Sequence, residues 1–221
     1  MNKILVICAH ADDETLGLGG TLCNHVQKGD VVHVQIFTDG ESARKKSSTK
    51  IKIRQNQAIK AAKELGIKEI EFLNYPDQQL DVIPLKDLAK KIENKIKKIS
   101  PNIIYTHYWE DVNQDHRKMF EATLIACRPT PNSSIKQLLC YETPSSTEWG
   151  NPFKNNQPNR FVNIEKVIDK KIKAVTNYSE EIKPFPHPRS KKAIKNRAMF
   201  WGSTIGINYA EAFYIIRQIE N

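Results

Sequence analysis

Ile4-Leu5-Val6-Ile7-Cys8-Ala9-His10-Ala11-Asp12-Asp13-Glu14 is the stretch that decides the fold. Apolar residues run unbroken from Ile4 to Ala9, then give way to one imidazole and three carboxylates. A short apolar run bounded by polar residues reads as a strand buried on both faces, the kind found in parallel sheets. Charges beside a core lose hydration unless something pairs with them. A divalent cation is the simplest partner for this cluster. Metal-assisted chemistry at the carboxyl end of the first strand is the expectation.

Outward from that strand, helix and strand signals alternate. A helix is expected over about 13–28, a strand over 31–38 and a turn at Asp39-Gly40. The run 54–65 reads as a helix closed by Gly66, a good stop signal. A short strand at 70–73 precedes a helix at 85–99, whose Leu85, Leu88, Ala89, Ile92, Ile96 and Ile99 form one apolar stripe. A strand at 103–106, a helix at 116–127 ended by Pro129 and Pro131, and a strand at 137–142 follow. Residues 161–162 read as an edge strand, 167–178 and 190–201 as helices, and 209–219 as a closing helix. The alternation predicts an α/β protein: a Rossmann-like three-layer sandwich with a mostly parallel sheet, as one domain over 1–221. Ligands of such sheets collect beyond the carboxyl ends of the strands, so His10, Thr38-Asp39 and His107 should share one rim.

Composition sets the class. The chain has 221 residues, 39% hydrophobic and 27% charged, with a net charge of +9. The excess is mostly lysine on helix faces, and no DNA or RNA motif accompanies it. A solvated surface is the reading, with a small-molecule substrate, no nucleic-acid partner and a weak pull on anionic ligands. No apolar run approaches a membrane span and no leader pattern is present, so a cytoplasmic protein without a transmembrane segment is expected. Cys8, Cys23, Cys127 and Cys140 lack paired spacing and read as buried thiols. The oligomeric state is left open, a homo-oligomer included.

The second polar cluster is Thr106-His107-Tyr108-Trp109-Glu110-Asp111-Val112-Asn113-Gln114-Asp115-His116-Arg117. It follows the fourth strand, on the same rim as the first. In an extended segment His10 and Asp12 point the same way, and Asp13 opens the helix. His10, Asp13 and His116 would supply two nitrogens and a carboxylate, a set that suits catalytic zinc with a position open for water. Asp12 would then be free to accept a proton from that water. Helix capping by Asp12 or Asp13 is the competing reading, though one cap needs no four-residue cluster. Trp149 and Phe153 sit in the polar loop 144–160, either walling a pocket or packing on the domain. His187 lies between two prolines, in a loop that either faces the site, with Arg189 on a phosphate, or packs as a corner. Gly17-Leu18-Gly19-Gly20 lacks the order of a dinucleotide fingerprint and reads as close helix–sheet packing.

These motifs resemble the LmbE-like/PIG-L family of metal-dependent de-N-acetylases. The family's opening motif, AHPDDE followed by GG, stands here as Ala9 to Glu14 with Gly19-Gly20, and its second signature ends in Asp-His, as in Asp115-His116. Thr38-Asp39-Gly40-Glu41, Arg54, Tyr75-Pro76-Asp77 with Leu80-Asp81, Pro186-His187-Pro188-Arg189-Ser190 and Tyr209-Ala210-Glu211-Ala212-Phe213 extend the likeness over nearly the whole chain. The resemblance implies zinc on His10, Asp13 and His116, with iron(II) or another divalent ion compatible, and Asp12 as general base. It implies an N-acetylglucosamine-type sugar, on a nucleotide or lipid carrier in some settings, cut to amine and acetate. Arg54 matches a substrate-binding position; Asp81, Trp149 and Arg189 are further candidates for substrate contact. Ala11 replaces the motif's proline. Asn113 stands where some members carry a second histidine, and can donate to an oxyanion but cannot act as a general acid. His107 and His187 are the candidates for that acid, unless Asp12 shuttles the proton both ways. The rival readings are an amidase for another acylated small molecule and a non-catalytic nucleotide-sugar binder.

Overall fold

The computed structural model describes residues 1–45, 47–150 and 157–220. Along the chain run β1 (Lys3–Cys8), α1 (Asp13–Gln27), β2 (Val31–Thr38), α2 (Ser42–Lys45), α3 (Ser48–Leu65), β3 (Glu69–Tyr75) and α4 (Leu85–Ile99). Then follow β4 (Ile103–His107), α5 (Gln114–Ala126), β5 (Gln137–Tyr141), β6 (Arg160–Asn163), α6 (Ile168–Val175), α7 (Lys191–Ser203) and β7 (Ala210–Gln218). All seven strands join one sheet of order β3-β2-β1-β4-β5-β7-β6. β1 to β5 pair in parallel, while β7 runs antiparallel to both β5 and β6.

The opening strand is buried on both faces, as its unbroken apolar run requires. Ile4, Val6 and Cys8 pack with Leu18 and Leu22 of α1, Ala58 and Leu65 of α3, and Ile168 of α6. Leu5 and Ile7 turn the other way, onto Leu88 and Ile92 of α4 and Met119 and Ala122 of α5. Helices therefore cover both faces, which is the expected three-layer arrangement. β1 has β2 on one side and β4 on the other, so the strand order reverses between β1 and β4. The crevice at such a reversal is where α/β sheets hold ligands. His10 follows β1 and His107 ends β4, the two strands that flank this reversal.

α1 carries the glycine motif and explains it. Its backbone departs from helical geometry at Leu18, with φ −141° and ψ 19°. The N–H groups of Gly20 and Thr21, freed by that kink, donate to the carboxylate of Glu211 on β7 at 2.9 and 2.6 Å. Lys171 of α6 pairs with the same carboxylate at 2.6 Å. A Cβ at Gly20 would come within 2.8 Å of Ile164, and one at Gly17 within 2.6 Å of the Glu142 carbonyl. Gly17 and Gly20 thus serve close packing.

Three expectations need correction. Residues 209–219 were expected as a helix, yet Ala210–Gln218 is strand β7. Its Ala and Glu residues favour a helix locally, but the vacant edge of β5 and the pairing with β6 override that preference. α5 begins two residues before His116, because Asn113 caps it by accepting the N–H of Asp115 at 2.9 Å. Asp12 is not extended: its φ of 127° lies in the left-handed half of backbone space. The chain turns there, so His10 and Asp12 do not share a direction by strand alternation.

Candidate metal centre

The β1–α1 turn and the first turn of α5 bring their polar residues together. His10 Nδ1 lies 3.2 Å from His116 Nε2 and 3.5 Å from Asp13 Oδ2. His116 Nε2 lies 3.5 Å from Asp13 Oδ1. One ligand atom from each of the three residues falls within 4.8 Å of the other two, and all three residues are buried. Among the described residues, the buried Oδ1 atoms of Asp13 and Asp12 have no hydrogen-bond partner. A buried carboxylate oxygen left unpaired is costly, and a cation removes the cost. The donor set therefore fits a divalent metal.

Carboxylates behind the imidazoles aim their lone pairs. His10 Nε2 faces Asp77 at 3.0 Å and Asp115 at 3.3 Å, which fixes a proton there and leaves Nδ1 for the metal. His116 Nδ1 faces Asp111 at 3.1 Å, leaving Nε2. Asp111 is held in turn by Thr147 Oγ1 at 2.7 Å, by the N–H of Asn113 at 2.8 Å and by Ser146 Oγ. Burial would raise the Asp111 pKa, but His116 and these hydroxyls pull it down to about 2. Burial likewise opposes charge on His10, yet Asp115, Asp13 and Asp77 outweigh it and raise its pKa well above the usual range.

Asp12 stands beside this group without belonging to it. Its Oδ2 accepts from Arg189 Nη1 at 2.9 Å and from Arg54 Nη2 at 3.3 Å. Burial raises its pKa despite the two guanidiniums. It occupies the N-cap position of α1 but makes no side-chain cap bond. Glu14, next in the motif, is buried and accepts from Tyr178 Oη at 2.5 Å and Thr15 Oγ1 at 2.6 Å. Burial pushes its pKa up to about 7.

The remaining candidates fall in different places. His107 is fully buried beneath the centre, stacked on His116 with ring centroids 3.9 Å apart. Its Nε2 accepts the N–H of Ala9 at 2.9 Å, and burial with the neighbouring His116 lowers its pKa to about 4. The neutral ring that results cannot also donate from Nε2 to Asp13, so their 3.3 Å approach is a contact and not a hydrogen bond. Arg54 is buried, with Nε on the Ala11 carbonyl at 3.2 Å. Arg189 Nε donates to Ser145 Oγ at 2.6 Å. His187 Nδ1 accepts the N–H of Arg189 at 3.0 Å, within its own loop. Asp81 is exposed and accepts from Gln114 Nε2 at 3.4 Å. Trp149 is 57% exposed and lines a separate hollow of about 490 Å³ with Trp109, Val112 and Arg117. Phe153 lies outside the described residues.

Sequence reasoning missed Asp77, Asp111 and Asp115 as carboxylates that orient the ligands, and Glu181, which bridges the two arginines. The acid-rich loop before His116 carried a signal for Asp111 and Asp115. Nothing in the local sequence around Glu181 does.

Two imidazoles and a carboxylate able to hold a metal meet at the switch point of the sheet, beside the carboxylate of Asp12, an arrangement of the kind used in metal-assisted hydrolysis. The chain belongs to the PIG-L family: the family profile described as GlcNAc-PI de-N-acetylase matches residues 5–127. A relative from Escherichia coli, the uncharacterized deacetylase YaiS, is 34% identical over 148 residues, covering 65% of this chain and 75% of that one. The structure of N,N'-diacetylchitobiose deacetylase from Pyrococcus horikoshii superposes with a TM-score of 0.78 at 25% identity, over 98% of this chain and 84% of that chain. A 4-oxalmesaconate hydratase from Pseudomonas putida is 27% identical over 192 residues, 77% of this chain and 70% of that one. Among the described residues no helix is long and apolar enough to cross a membrane.

Proposed function

We propose that this protein removes the acetyl group from an N-acetylglucosamine-type sugar, releasing the free amine and acetate. The observation that carries the reading is the unpartnered Asp12 Oδ1 beside the His10, Asp13 and His116 donor set. His10 Nδ1, Asp13 and His116 Nε2 would hold the metal, and the set suits zinc with a position open for water. When bound, the metal supplies Lewis acidity toward the amide carbonyl and lowers the pKa of water. Asp12 Oδ1 takes a proton from the attacking water, and the same carboxyl returns it to the departing nitrogen. Arg54 and Arg189 hold Asp12 by its other oxygen, so both act through the base in the free enzyme. The Asn113 amide nitrogen is our candidate donor to the carbonyl oxygen. His107, neutral and beneath the ligands, serves as a brace and not as the acid. Asp81, His187 and Trp149 are our further candidates for substrate contact. The described chain acts as one catalytic unit, and its free, buried cysteines suit a reducing cytoplasm.

The test is acetate release from N-acetylglucosamine, N,N'-diacetylchitobiose, UDP-N-acetylglucosamine and a lipid-linked N-acetylglucosamine, run before and after chelation and reloading with zinc or iron(II). Metal-dependent acetate release from at least one probe is expected. Metal-loaded protein that releases no acetate from any of them overturns the reading. In that case the kinship with a hydratase makes addition of water to an unsaturated acid the activity to assay next.

A further inference from the structure

The ion pairs on Asp12 continue into the last third of the chain. Arg54 Nη1 donates to Glu181 Oε1 at 2.5 Å, and Arg189 Nη1 donates to Glu181 Oε2 at 3.0 Å. The same two guanidiniums meet again at Asp12 Oδ2. Two carboxylates and two guanidiniums thus alternate in a closed ring. Asp12, Arg54 and Glu181 are buried in it, and Arg189 is largely so. Glu41 touches the ring from outside, 3.4 Å from Arg54 Nη1. Each guanidinium has a further anchor, the Ala11 carbonyl for Arg54 and Ser145 Oγ for Arg189.

Two cations sharing one carboxylate oxygen repel each other strongly away from bulk water. Nothing at Asp12 alone would keep both of them on Oδ2 and off Oδ1. Glu181 supplies that restraint, since each of its two oxygens accepts from one guanidinium, Arg54 through the nitrogen not used on Asp12 and Arg189 through the same Nη1. We propose that Glu181 is a positioning residue: by tying Arg54 to Arg189 it confines both to Asp12 Oδ2 and leaves Oδ1 as the oxygen that handles the proton. The assignment rests on the reading of Asp12 as the base. It differs from a substrate-binding role, which would move KM, and from a role in the fold alone, which would move the melting temperature and leave kcat unchanged. Misdirecting a base by a fraction of a bond length acts on kcat.

The test uses the full chain loaded with zinc, with N,N'-diacetylchitobiose as the probe. Glu181→Gln keeps the side chain's shape and loses its charge. It should retain metal content and, assayed well below a melting temperature that the lost buried charge lowers, show kcat reduced about 10- to 100-fold with KM within roughly twofold. Glu181→Asp should recover part of the loss. Independently of turnover, the Nη–H signals of Arg54 and Arg189, the groups that donate to Glu181, should exchange slowly with solvent in isotope-labelled wild type and quickly in Glu181→Gln. A kcat within about threefold of wild type overturns the proposal. So does a loss that tracks KM or metal content. If Glu181→Gln fails to fold, Arg189→Lys decides, because it keeps the charge and removes the fork: the same kcat-only loss supports the ring, and an unchanged kcat sinks it. If the wild type releases no acetate, the deacetylase reading fails, and the exchange measurement still judges the ring.

Discussion

At the scale of single residues, the site is a chain of carboxylates and imidazoles in which each group fixes the proton of the next. Asp111 holds the Nδ1 proton of His116, and Asp77 with Asp115 holds the Nε2 proton of His10. Partners of this kind are worth about 10- to 100-fold in metal affinity. Asp111→Asn should therefore weaken zinc binding by roughly that factor, read by competition with a chromophoric chelator. Asp12→Asn should leave zinc content intact and lower kcat by about 100-fold or more, because the base is removed while the ligands remain. His116→Ala should lose both metal and turnover. A fully active Asp12→Asn protein would move the proton transfer to another group. The cluster His10, Asp12, Asp13 and Glu14 at a strand end exceeds any structural need, and with the polar loop before His116 it pointed to the residues that the structure brings together. It did not reveal which loop acid serves which imidazole. Glu110, Asp111 and Asp115 look alike until the cap at Asn113 sets the first turn of α5.

Among the elements, α1 depends on contacts that come from far along the chain. Its kink at Leu18 leaves two backbone donors that Glu211 satisfies, and Lys171 neutralises the carboxylate. Glu211→Ala would strand a buried ammonium and two buried N–H groups. A loss of about 3–5 kcal/mol is expected from breaking such a pair, measurable by urea denaturation. Gly20→Ala should cost about 1–3 kcal/mol through its clash with Ile164. A second change, Ile164→Val, should return part of that cost if the contact is the cause. The helices at 85–99 and the strand at 31–38 were legible because their apolar periods are long and clean. β7 was not: Ala210, Glu211 and Ala212 suit a helix, and only the waiting edge of β5 makes them a strand. Its role as the source of the Glu211 carboxylate was hidden with it.

Across the whole molecule, parallel pairing gathers onto one rim the loops that follow β1, β2, β4 and β5, and the ring around Asp12 adds Glu181 and Arg189 from the segment between α6 and α7. The rim was foreseeable from the alternation of elements, because parallel strands send all their carboxyl ends one way. The contribution of 181 and 189 was not, since loops carry no period. Metal binding should be felt globally, as the candidate ligands tie the start of α1 to the start of α5. Chelation should lower the melting temperature, and each tenfold excess of zinc over its dissociation constant should restore about 1.4 kcal/mol, seen as a concentration-dependent rise in melting temperature.

The carboxylate that seats the second half of α1 lies at position 211, whereas the candidate metal ligands lie at 10, 13 and 116. During synthesis on the ribosome, every ligand emerges well before the group that settles the helix bearing Asp13. A nascent chain arrested short of β7 should therefore hold zinc loosely or not at all, and ion capture should be among the last events in the making of this enzyme.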